Sequence, residues 1–73
     1  MYNYQKLLGK IKEVFNDNSS FASAMEKSER TISLKLNNKR EFKQSEIIVA
    51  CELLNIRVNE IPSYFFELKV QRK

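Results

Sequence analysis

The sequence predicts an all-α fold, and three observations point there. Gly and Pro each occur once in 73 residues, too few for the turns of an all-β chain. Apolar residues recur three and four positions apart over several stretches. Asp, Ser and Asn stand where those stretches begin and end, as helix caps do. The length allows one domain, residues 1–73, and one small core.

Tyr4, Leu7, Leu8, Ile11, Val14 and Phe15 form the apolar stripe of a first helix, about 3–15, with Lys6, Lys10, Lys12 and Glu13 mostly off it. Gly9 inside that helix costs about 1 kcal/mol relative to Ala, which suggests a place where another helix packs closely. Asn16 tolerates the left-handed conformation that ends a helix. Asp17 suits the N-cap of a second helix, with Phe21, Ala22 and Met25 turned inward. Ser28 caps a third helix, Ile32 and Leu36 face the core one turn apart, and Asn37-Asn38 stop it. Lys39 to Lys43 is a basic loop that Phe42 anchors on the core. A fourth helix, about 44–55, carries Ile47, Ile48, Cys51 and Leu54 on one face and ends at Asn55. Tyr2 and Tyr4 cover the core.

Two readings stand open for the tail, residues 62–73. Pro62 suits the first turn of a short helix, with Ile61, Phe65 and Leu68 at helical spacing. Phe66 to Gln71 instead alternates as a short C-terminal β-strand does. A lone strand leaves backbone groups unpaired, and the obvious partner is the same strand of a second subunit. Core packing is the default for the cluster Tyr64, Phe65 and Phe66; the sharper alternative is a homodimer interface of Tyr64, Phe65, Phe66, Leu68 and Val70.

Composition excludes several kinds of function. There is no His and one Cys, so a transition-metal site of the usual kind is not expected. No glycine-rich phosphate loop and no nucleophile with a base nearby is visible, so neither an enzyme nor a cofactor or small-molecule site is expected. No apolar run approaches the length of a membrane span, and no signal-peptide core follows a basic start. Cys51 lies between helical apolar positions as a buried thiol, which fits a cytoplasmic protein.

The net charge is +4, and residues 26–43 hold +3 of it: Lys27, Arg30, Lys35, Lys39, Arg40 and Lys43 against Glu26, Glu29 and Glu41. Such a concentration suits phosphate binding, and a solvated basic face suits it equally. Residues 17–38 read as two short helices joined by a tight turn, the second with a polar outer face of Glu29, Arg30, Ser33 and Asn37. A helix of this kind fits a DNA major groove.

The segment FASAMEKSERTISLKLNNK, followed by a loop and EIIVACELLNI, resembles the helix-turn-helix of the XRE-type family of lambdoid phage repressors and Cro. The resemblance covers about residues 4–61. It implies a compact lambda-repressor-like DNA-binding domain of four to five helices, with the helix-turn-helix at about 17–38 and helix 29–37 in the major groove. It also implies a homodimer on a double-stranded DNA operator, acting as a sequence-specific transcriptional repressor of Cro type in the bacterial cytoplasm, at the nucleoid. By position, Asn18 matches a phosphate contact, Glu29 and Arg30 the first positions of the recognition helix, Ser33 and Leu34 its base-facing positions, and Asn37 a position near the DNA backbone. The sequence departs from the family where Asn18 stands in place of a frequent Gln and Glu26 in place of a frequent turn Gly; with no Gly available, a non-Gly residue takes positive φ at some cost.

Chemistry supports two roles for several of these residues. Arg30 can bond guanine O6 and N7, or serve a phosphate or a pair with Glu26 or Glu29. Glu29 can accept from cytosine N4, or stabilise the helix N-terminus. Leu34 can meet a thymine methyl, or join the core beside Leu36. Lys35, Lys39, Arg40 and Lys43 suit phosphates. The alternative function is a protein-binding module of the same fold, such as an antirepressor, marked by an exposed apolar patch.

Overall fold

The computed structural model describes residues 1–69 and places five α-helices in sequence: α1 Gln5–Phe15, α2 Asn18–Ala24, α3 Glu29–Leu36, α4 Gln44–Leu54 and α5 Ile61–Phe65, with one 3-10 turn at Val58–Glu60 before the last. The all-helical expectation is met. The caps are where local chemistry puts them. The Ser20 N–H donates to Asp17 Oδ1 at 2.7 Å and the Thr31 N–H to Ser28 Oγ at 3.1 Å, each filling an orphan donor in a first turn. Glu46 does the reciprocal job for α4, accepting the Lys43 N–H at 2.8 Å. Pro62 sits in the first turn of α5, where its missing N–H costs nothing.

The chain reverses on four residues with positive φ: Asn16 at 74°, Glu26 at 59°, Asn38 at 62° and Asn55 at 57°. Three are asparagines, which tolerate that region best among residues with a Cβ. Glu26 is the residue that takes the left-handed geometry in the glycine-free turn between α2 and α3. There the Glu26 and Lys27 N–H groups donate to Ser23 and Ala22 carbonyls at 3.0 and 2.9 Å and close the end of α2.

One core joins all five helices: Leu7 and Ile11 of α1, Phe21 and Ala22 of α2, Ile32 and Leu36 of α3, Ile47, Ala50, Cys51 and Leu54 of α4, and Tyr64 and Phe65 of α5, with Tyr4, Met25 and Ile56. Phe42 packs against it from the loop, as expected. Three details correct the sequence reading. Ile48 is 53% exposed, because α4 buries positions 47, 50, 51 and 54, and 48 falls on the flank beyond that face. Leu8 and Val14 are likewise exposed at the margins of a stripe too wide for α1 to bury whole. A Cβ on Gly9 would meet nothing within 4 Å, so no helix approaches there.

The tail combines both of its readings. Residues 61–65 are helical, and the chain then extends beside its own N-terminus. The Asn3 N–H donates to the Glu67 carbonyl at 2.7 Å and the Lys69 N–H to the Met1 carbonyl at 3.1 Å, around an antiparallel bridge between Tyr2 and Leu68. The partner expected in a second subunit is therefore supplied within the chain, as an isolated bridge, with no strand among the described residues. Among those residues, no helix is long and apolar enough to cross a membrane.

Candidate protein-docking surface

α3 divides its cations between inside and outside. Ile32, Lys35 and Leu36 share its inner face, since they lie three and four positions apart. Lys35 is 4% exposed, and its Nζ lies 2.9 Å from Glu46 Oε1 on α4. The same ammonium donates to the Glu41 carbonyl at 3.0 Å and sits 6.0 Å from the Phe42 ring centroid. Lys27, in the turn before α3, reaches Glu46 Oε2 at 3.4 Å. Burial opposes charge on Glu46, but the Lys43 N–H and the two ammoniums outweigh it and hold the carboxyl below its ordinary value. Lys35 was expected at a phosphate; that expectation is corrected, because its head group is turned inward and held by Glu46 and the Glu41 carbonyl.

The outer face of α3 is close to neutral. Glu29, Arg30 and Ser33 are exposed, with one acid beside one base. Asn37 Nδ2 donates to the Ser33 carbonyl at 2.8 Å and to Ser33 Oγ at 3.3 Å, so these two side chains serve each other. Leu34 is half-buried and stands outside the core that Leu36 joins. Asn18 is half-buried at the start of α2.

The loop after α3 holds the outward cations. The Lys39 and Arg40 N–H groups donate to the Leu34 carbonyl at 2.8 and 3.3 Å, which folds the loop back over the helix end. The side chains of Lys39, Arg40 and Lys43 are exposed, and none forms an ion pair among the described residues. Asn38 ties this loop to the N-terminus. Its Oδ1 accepts the Tyr2 N–H at 2.9 Å and its Nδ2 donates to the Tyr2 carbonyl at 3.0 Å. Tyr2 is thus held on one side by Asn38 and on the other by Leu68.

Between the loop and the paired termini lies an open groove of about 330 Å³. Tyr4, Phe42, Phe65 and Ile47 line it, Met1, Tyr2 and Phe66 flank it on the terminal side, and Asn38, Arg40 and Glu41 on the loop side. The rings interlock: Phe42 meets Tyr4 edge-on at 5.6 Å and Phe65 edge-on at 5.4 Å, and Tyr2 meets Phe66 at 6.0 Å. A more open depression on the other side of Tyr2 is lined by Leu8, Leu36 and Leu68.

These positions meet the expectation of core packing at Tyr64 and Phe65 and correct the alternative that placed those two in a dimer surface. Tyr64 and Phe65 are buried in the chain's own core, whereas Phe66 and Leu68 are exposed beside the groove. Val70 lies outside the described residues. Sequence reasoning missed the groove itself. Asn38 and Tyr2 are 36 positions apart, and only the spread of aromatics over Tyr2, Tyr4, Phe42 and Phe65 hinted that the two ends meet.

Comparison with known proteins gives the geometry a context. No curated protein matches the chain. Among solved structures it is similar to the solution structure of the modulator of repression, MOR, of the temperate bacteriophage TP901-1 from Lactococcus lactis. The two are 48% identical, the match covers 96% of this chain and 95% of that one, and the TM-score is 0.82. This finding overturns the expectation of a Cro-type, operator-binding repressor, since the similar protein is named for modulating repression. A family model matches residues 1–68 and corrects the assignment to the XRE-type family: the chain belongs to the family described as protein of unknown function, DUF739.

Proposed function

We propose that this chain is a non-catalytic regulator of a phage that binds a repressor protein in the cytoplasm of the bacterial host and alters how that repressor acts. The observation that carries the reading is full-length similarity, at 48% identity, to a phage modulator of repression. The surface agrees with a protein partner. The outer face of α3 has little net charge to offer a polyanion, because Arg30 stands beside Glu29 and Lys35 is turned inward. Apolar side chains are exposed instead, with Met1, Phe66 and Leu68 grouped around the paired termini and Ile48 and Val49 on α4. Exposed apolar groups of this kind mark contact surfaces between proteins.

Two measurements on one pair of proteins test the reading. The chain is titrated calorimetrically into the repressor of the phage that carries it, and a reporter behind that repressor's operator is followed with and without the chain. A stoichiometric complex and a changed level of repression are expected. Absence of a complex at micromolar concentrations, together with unchanged repression, overturns it.

A further inference from the structure

We infer that the aromatic groove beside the loop between α3 and α4 receives an apolar side chain from an acidic segment of the partner protein, with the partner's carboxylates on Arg40 and Lys39. The inference rests on the proposed function and adds the face used and the chemistry of the segment that fits it.

Charge complementarity selects the occupant. Glu46 answers one of the three excess positive charges of residues 26–43, through Lys27 and Lys35, and Glu29 offsets Arg30 beside it on the outer face of α3. What is left over sits on the loop that borders the groove: Arg40 and Glu41 line the groove, and Lys39 and Lys43, outside its lining, flank them and make the loop basic, with no ion pair to any of these three cations among the described residues. A basic segment is repelled there, and a purely apolar one leaves the cations unanswered. Tyr4, Ile47, Phe42 and Phe65 give the groove an aromatic and aliphatic wall opposite its polar loop side, so the side chain that enters is apolar.

The Tyr4 hydroxyl adds a directional group. Its ring is buried against Phe42, yet the hydroxyl makes no hydrogen bond to another described residue. Burial, with Tyr2 and Glu41 nearby, raises its pKa and keeps the O–H protonated, so it can donate to a carboxylate or carbonyl of the occupant. The site is also preformed. The Leu34 carbonyl holds the loop, Asn38 holds Tyr2, and the rings brace each other. A partner then has little ordering left to impose, and Arg and aromatic side chains carry much of the energy of protein contacts.

The test has two arms, both on the full chain. In the first, NMR follows titration with a short peptide bearing one Phe between Glu residues, and with its counterpart bearing Lys in place of Glu. The acidic peptide is expected to shift signals of Tyr2, Phe42 and Phe66 and to bind more tightly than the basic one. Equal binding of the two, or shifts that map away from the groove, overturns the inference. In the second arm, Arg40→Glu and Phe66→Ala, both at exposed positions, are titrated into the repressor, with dispersed NMR spectra showing that each variant is folded. Losses of about tenfold or more are expected for each. Wild-type affinity in both variants overturns the groove and leaves the functional reading standing. Selective acidic-peptide binding without any repressor binding does the reverse.

Discussion

Two groups of cations lie within a few residues of each other and are used in opposite ways. Lys35 and Lys27 converge on Glu46 and fasten α3 and the preceding turn to α4. Lys39, Arg40 and Lys43 project from the next loop without an ion pair among the described residues. The first group serves the fold, and the second is free to meet something outside. A count of charge along the sequence adds the two together and overstates what the surface presents.

The comparison breaks most visibly at Glu46. Replacing it with Ala strands a buried ammonium and removes the N-terminal hydrogen bond of α4, and a destabilisation of about 3 kcal/mol is expected in urea unfolding. A loss below about 1 kcal/mol would place this group with ordinary surface pairs. Asn38 stands at the border between the two groups. Asn38→Ala removes both hydrogen bonds to Tyr2 and puts a less tolerant residue at positive φ, for an expected loss of about 1–2 kcal/mol and faster amide exchange at Tyr2. Asn38→Gly keeps the backbone conformation, so comparing the two variants separates strain from bonding.

Acid titration sharpens the same contrast. Glu46 has a folded pKa below its unfolded value, so its contribution is fully present above the ordinary carboxylate range, about pH 4. It is lost as pH falls through the folded value. Asp17, held low by the Ser20 N–H, acts in the same direction. Unfolding midpoints measured from neutral to acidic pH are expected to fall less steeply in Glu46→Gln than in the wild type, and parallel curves would refute the assignment.

Smaller effects are expected outside the ion cluster. Gly9→Ala adds a methyl group in open space and is expected to stabilise α1 by about 0.5–1 kcal/mol, read as a higher thermal midpoint. Lys39→Ala and Lys43→Ala are expected to stay within about 0.5 kcal/mol of wild type in urea. A larger loss at either would show that the outward group also serves the fold.

Much of the fold was legible because its causes are local. Asp17 and Ser28 announce helix starts through their own side chains, and Asn16, Asn38 and Asn55 announce stops through their own backbone tolerance. Lys35 was half legible. Its place three residues after Ile32 puts it on the inner face, but its carboxylate partner lies on another helix, and no local rule reaches that far. The tail followed the same logic: alternation from Phe66 onward indicated extended chain, while the partner, Tyr2, lies at the opposite end of the sequence. Function was least legible. A capped helix pair with a polar outer face can serve a DNA groove or a protein surface, and the fold does not choose between them. The proposal of a protein surface rests on similarity over the whole chain to a modulator of repression and on which charges remain outside after folding.

Cys51 gives the molecule a clock of its own. The thiol is buried on α4 amid the core, and burial raises its pKa, so little nucleophilic thiolate forms while the helices stay packed. An aromatic disulfide reagent, at a concentration where its reaction outpaces reclosing, therefore reacts at the frequency with which the core opens. The absorbance of the released chromophore times that opening without any label, in the wild type and in each variant, alone or bound to a partner.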